Sequence, residues 1–224
     1  MTQRMLFNLE QESLLALGLK DNRQLIEYRR KLDQLTKQFV GETKPPHEPV
    51  EKARVLFHWF WERKPGRYKP QSHFRLNDVI DAELSKDRRT VGNCLGLTLL
   101  YQCLLKKMNI HADALHLENA FGMGPHVLTL LQTGASAIDI ENILPDGFDY
   151  KGHLNNPSRT KWGDKELVAD IYHSLGNEWF EKGDLAKALN SYEMAIKLNP
   201  QYDKAHLNKV IVMGELKTGR QDKP

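Results

Sequence analysis

Gly92-Asn93-Cys94 opens a strongly apolar helix that runs into three short strands, and this succession constrains the fold more than any other stretch. Leu97, Tyr101, Leu104, Leu105 and Met108 recur at helical spacing on the face that Cys94 begins. The Cys94 thiol should therefore point inward, at the seam between helix and sheet. The expected strands are residues 112–118, 126–132 and 136–142. They are β-branched or apolar with period-two character, and glycine-containing breaks separate them.

Upstream, Leu14, Leu15 and Leu17 suggest a short helix stopped near Gly18. Leu25, Tyr28, Leu32, Leu35 and Phe39 form one face of a long amphipathic helix, ended by Gly41 and the Pro45-Pro46 pair. A further helix spans residues 48–63, with Val50, Phe57 and Trp61 on one face and Pro65-Gly66 closing it. Residues 67–74 read as an exposed loop, and Asp78 as the cap of a short helix through Leu84.

Residues 144–164 are rich in Pro, Gly and Asn and include Phe148, Tyr150 and Trp162. A loop of this length is either functional or a linker. Beyond it the pattern turns helical. Leu175-Gly176, Trp179, Gly183-Asp184, Ala188, Tyr192, Ala195 and Pro200 fall where a tetratricopeptide repeat places its small and large residues. The match spans Ala169 to Tyr202, and residues 204–219 resemble the first helix of a second unit. Such hairpins need neighbours to bury their faces, so this tail should lean on the rest of the protein or on a protein partner. The expected division is residues 1–164 and 165–224.

The chain of 224 residues has room for one good-sized domain and a small appendage. Its 40% hydrophobic and 27% charged residues are the mix of a soluble globular protein. The net charge of +3 arises from bases scattered among acids, which gives no case for nucleic acid. No apolar run is long enough for a membrane span. Glu10 and Glu12 interrupt the apolar core that a signal peptide would need. Cys94 and Cys103 lie on one helix, about 2.5 turns apart, too far for a disulfide. These features point to a cytoplasmic, reducing setting. No metal or cofactor is expected: His-Glu-x-x-His, Cys-x-x-Cys and His-x-His are absent, and Gly122-Met-Gly124 lacks the rest of a phosphate loop. His111 and His116 read as a helix-exit residue and a strand residue.

The candidate chemistry rests on Cys94, His126 and Asp139, in that order along the chain. A thiol at a helix N-terminus is favoured as thiolate by the helix dipole and the free N–H groups. An imidazole in reach deprotonates it, and a carboxylate fixes the imidazole tautomer. Gly92 suits a tight turn before the nucleophile, and Gly96 suits close approach of substrate or strand. Backbone N–H groups at the helix start are placed to hold an oxyanion. The plain alternatives are a small buried hydrophobe at Cys94, a satisfied strand histidine at His126 and an edge-strand charge at Asp139. Cys103, mid-helix, reads as structural.

Register bears on the carboxylate. An even loop within Gln132-Thr-Gly-Ala135 sets Leu128 opposite Asp139 and His126 opposite Glu141. His126 and Asp139 are then diagonal neighbours on one face, roughly 5–8 Å apart between Cβ atoms. An odd loop puts them on opposite faces. Glu141 thus competes with Asp139 for the orienting role.

Leu76-Asn-Asp-Val-Ile, the Gly-Asn-Cys helix and Gly122-Met-Gly-Pro-His126 make residues 76–142 resemble the transglutaminase-like cysteine enzyme superfamily. The pairing with tetratricopeptide helices is most similar to a bacterial branch of it. The resemblance implies an α+β fold, a papain-like core in which the nucleophile helix packs on a small antiparallel sheet, flanked by N-terminal helices and the C-terminal hairpin. It implies acyl transfer or hydrolysis at an amide of a protein or peptide, with Cys94 as nucleophile, His126 as base and Asp139, by the family order, as orienter. Some members carry a donor tryptophan upstream of the cysteine. Trp59 and Trp61 lie at such a distance, but their apolar neighbours make them core residues. The rival reading is a non-catalytic scaffold that binds a protein partner through its helical tail.

Overall fold

Asn93 starts the central helix: its backbone is extended and its side chain accepts from the Gly96 N–H at 3.0 Å. The computed structural model describes residues 7–218 except Ala135. The chain divides into two compact units, one of Asn8–Gly163 and one containing residues 164–218. In the first, α1 (Leu9–Ala16), α2 (Asn22–Thr43), α3 (Pro49–Arg63) and α4 (Leu76–Leu84) precede α5 (Cys94–Lys107). The four strands are β1 (Ala112–Leu117), β2 (His126–Thr133), β3 (Ser136–Ile140) and β4 (Thr160–Trp162). They form an antiparallel sheet of order β3-β2-β1-β4.

The amphipathic stripe of α2 supplies Leu32, Leu35 and Phe39 to the core. The helix passes Gly41 and stops only at Lys44, before the two prolines that cannot continue it. On α5, every residue from Leu95 to Leu105 is buried. Burying one of its leucines stabilises the fold by about 1.5–3 kcal/mol relative to leaving it exposed. Polar ties fix α5 at both faces: Tyr101 donates to the Ala53 carbonyl at 2.7 Å, Thr98 to Val127 at 3.2 Å and Gln102 to Asp113 at 2.7 Å.

Three expectations need correction. The loop of residues 67–74 is exposed only at residues 69–71, and both its ends are buried. Arg67 is buried against Glu83 at 3.1 Å and over the Phe60 ring, and its carbonyl accepts from Val91 and Gly92. Asp78 lies in the first turn of α4, whose cap position belongs to Arg75. A fourth strand, β4, emerges from the long loop. Three residue pairs join it to β1, and Trp162 stacks on His116 with centroids 3.9 Å apart.

The second unit comprises α6 (Asp164–Glu181), α7 (Leu185–Leu198) and α8 (Asp203–Thr218). Gly183 turns the chain at φ +75°, a left-handed conformation that suits glycine, and Asp184 caps α7 by accepting from the Lys187 N–H. Ala188, Tyr192 and Val212 form the core, with Trp179, Phe180, Leu185, Leu189 and Leu216 against it. Among the described residues no helix is long and apolar enough to cross a membrane.

Candidate catalytic site

The approach to Cys94 is set by close packing under its helix. A Cβ on Gly96 would lie 2.4 Å from the His73 carbonyl oxygen and 2.7 Å from Val79 Cγ2. The glycine is thus needed for the approach of the protein's own backbone. The His73 carbonyl also takes the Asn93 N–H at 3.0 Å. Asn93 engages the Gly96 N–H with its side chain and the Leu97 N–H with its carbonyl. Neither bond uses the N–H of Cys94 or Leu95, the groups nearest the thiol. Cys94 is half-buried and Cys103 buried, and neither is in a disulfide.

His126 begins β2 and is 6% exposed. Its Nε2 lies 2.9 and 2.8 Å from the two carboxylate oxygens of Glu141. That commitment leaves Nδ1 as the ring nitrogen for the thiol. Burial alone would lower the imidazole pKa. Hydrogen bonding to Cys94 and to Glu141, with the negative charge each can carry, outweighs burial and pushes it up to about 10. Glu141 is fully buried, which by itself would raise its carboxyl pKa. Its bonds to His126 and His153, and their charge, bring it below the ordinary range instead.

Asp139 does not meet His126. Its carboxylate takes both arms of the Arg159 guanidinium, at 2.6 and 3.0 Å. The expected facing of β2 and β3 is right in parity and displaced in register. Thr133 faces Ser136 and Leu130 faces Asp139, so two residues span the turn, one position later than expected. His126, Leu128 and Leu130 still share a face with Asp139 and Glu141. The diagonal neighbour of His126, however, becomes Glu141. Moving the hairpin tip by one residue moves the register by two, which exchanges one carboxylate for the other.

Two further side chains at the site lie outside the sequence expectation. His153, 4% exposed, places Nε2 3.0 Å from Glu141 Oε2. Tyr68 sits beside Gly92 in a short parallel bridge, and its phenol pKa is raised by burial and then by the charges of Cys94 and Glu141. The only sequence signal for His153 is the length of its loop. Trp59 is committed elsewhere: it is buried and donates Nε1–H to Glu42 at 2.7 Å. One atom each of His126, Glu141 and His153 falls within 4.8 Å of the others, the convergence a metal ion would also need.

Among families, the tetratricopeptide repeat model matches residues 169–202. These are the residues picked out by the spacing of small and large side chains, and they cover α7 and most of α6. Comparison with curated proteins and with solved structures gave no match. The chain therefore carries a tetratricopeptide repeat behind a mixed α+β unit. A repeat of this kind commonly serves protein–protein interaction.

Proposed function

We propose that the α+β unit is a papain-like cysteine enzyme of transglutaminase-like type, working on an amide of a protein or peptide through Cys94, His126 and Glu141. The observation that carries this reading is the succession of a half-buried helix-start thiol, a buried imidazole and a buried carboxylate. Nε2 of the imidazole is engaged by Glu141, and hydrogen bonds to Cys94 and Glu141 push the ring pKa up against the effect of burial. In the reaction Cys94 Sγ attacks the carbonyl carbon and a C–S bond forms. The oxyanion meets backbone N–H at the start of α5. His126 passes its proton to the leaving amine as the C–N bond breaks. Water or a second amine then cleaves the thioester, with His126 as base. Glu141 orients the ring and stabilises the imidazolium. Phe121, 44% exposed and 5.7 Å from the His126 ring, lies where an apolar substrate group would pass. Cysteines outside any disulfide suit the cytoplasmic setting that the proposal assumes.

A second reading has its own support: a scaffold whose helical tail binds a protein partner, the α+β unit being inert. It rests on the repeat at residues 169–202 and on an open cavity of about 180 Å³ lined by Asn177, Phe180, Tyr192, Asn208 and Ile211. Alkylation of the folded protein at neutral pH, mapped by mass spectrometry, separates the two. Selective labelling of Cys94 supports the enzyme. Equal labelling, or preference for Cys103, leaves the scaffold.

A further inference from the structure

We propose that His153 is a positioning residue of this site: it donates its Nε2–H to Glu141 and holds that carboxylate on His126, so that the working unit has four side chains. The inference rests on the catalytic reading above.

The carboxylate is arranged for two histidines. Glu141 Oε2 lies 2.8 Å from His126 Nε2 and 3.0 Å from His153 Nε2. Oε1 lies 2.9 Å from His126 Nε2 and 3.4 Å from the Ile143 N–H. A carboxylate this deep must find donors or lose its charge. His126 alone is a poor guarantor, because its own proton moves during the reaction. A second donor that takes no part in proton transfer keeps Glu141 ionised and aimed while His126 cycles.

His153 is held for that task. Phe121 and Tyr150 meet its ring nearly edge-on, with centroids 4.8 and 4.9 Å away. Its carbonyl accepts from Arg159 Nη1 at 3.0 Å, and the same guanidinium forks onto Asp139. The Tyr150 N–H bonds the Asp139 carbonyl at 2.9 Å. Asp139 therefore acts at a remove, pinning the segment that brings His153 to Glu141. The ionisable groups facing Glu141 are His126 and His153 by contact, with Cys94 beyond His126 and Tyr68 within electrostatic range. The two imidazole centroids are 6.0 Å apart, close enough that two cations there would repel.

The test is the rate of iodoacetamide alkylation at Cys94 against pH, on the full chain, for wild type, His153→Leu and His153→Gln. Leu removes the donor, whereas Gln retains an N–H able to reach the carboxylate. The Leu variant should need about one pH unit more to reach half its maximal rate, and Gln should recover most of that shift. If the Leu variant does not fold, His153→Asn, one methylene too short to donate, replaces it. Thermal melts of all variants separate lost stability from a moved profile. Superimposable profiles for wild type, Leu and Gln overturn the proposal. So does a stoichiometric zinc ion retained on His126, Glu141 and His153. A wild-type Cys94 no more reactive than Cys103 overturns the catalytic reading itself. A selective wild-type Cys94 with no effect of His153→Leu overturns this proposal alone.

Discussion

Asp139 and Glu141 stand two positions apart on one face of the same strand end, both nearly out of solvent, yet they sit in opposite surroundings. Asp139 meets a guanidinium that cannot give up its proton, and the pair ties a loop down. Glu141 meets two imidazoles, His126, whose proton moves in the proposed reaction, and His153, which is proposed to hold the carboxylate in place. The difference lies in the partner and not in the carboxylate. A fixed cation makes the Asp139 pair an anchor, whereas under the proposed function the Glu141 cluster orients an imidazole whose proton moves.

The sharpest way to break this contrast is to neutralise each carboxylate in turn. Glu141→Gln should have the largest effect. An opposite charge in contact typically moves a pKa by about 1–3 units, so the His126 value should fall well below its present level of about 10. The rate of Cys94 alkylation near neutral pH should drop roughly tenfold or more, as read by mapped labelling. Asp139→Asn should act mainly on the loop. Losing a charge-assisted fork costs about 1–3 kcal/mol of stability. Hydrogen exchange across residues 149–159 should accelerate, with the Cys94 rate changed only a few-fold. A stronger effect of Asp139→Asn than of Glu141→Gln would invert the assignment. Cys103→Ser should do least: that thiol lies on α5 away from the helix start, so the Cys94 labelling profile should superimpose on wild type.

Much of this arrangement is legible in the sequence, and the parts that are not share a cause. The repeat is legible because its signals are local: Ala188, Tyr192 and the Gly183-Asp184 turn sit in one hairpin at fixed spacing. The central helix α5 is legible for the same reason, through the face shared by Cys94, Leu97 and Tyr101. The choice between Asp139 and Glu141 is not, because it depends on where the hairpin turns, and Gly134 sits in the two-residue loop of either register. His153 is hidden because it belongs to a loop with no periodicity and is recruited through the distant Arg159 fork. The burial of Arg67 is hidden too, since its partner Glu83 lies in another helix and a lone arginine between Gly66 and Tyr68 reads as solvent-facing.

The central claim is that the proton of the site rests on His126 because Cys94 and Glu141 hold it there. Nitrogen-15 chemical shifts of the His126 ring, assigned by comparison with His126→Gln and followed over pH, measure this directly. Since the folded value is raised, the cation should persist above the usual range and disappear only as pH rises. The account predicts both ring nitrogens protonated at pH 8, with deprotonation centred near 10. A ring that titrates near 6.5, or is neutral throughout, would contradict it.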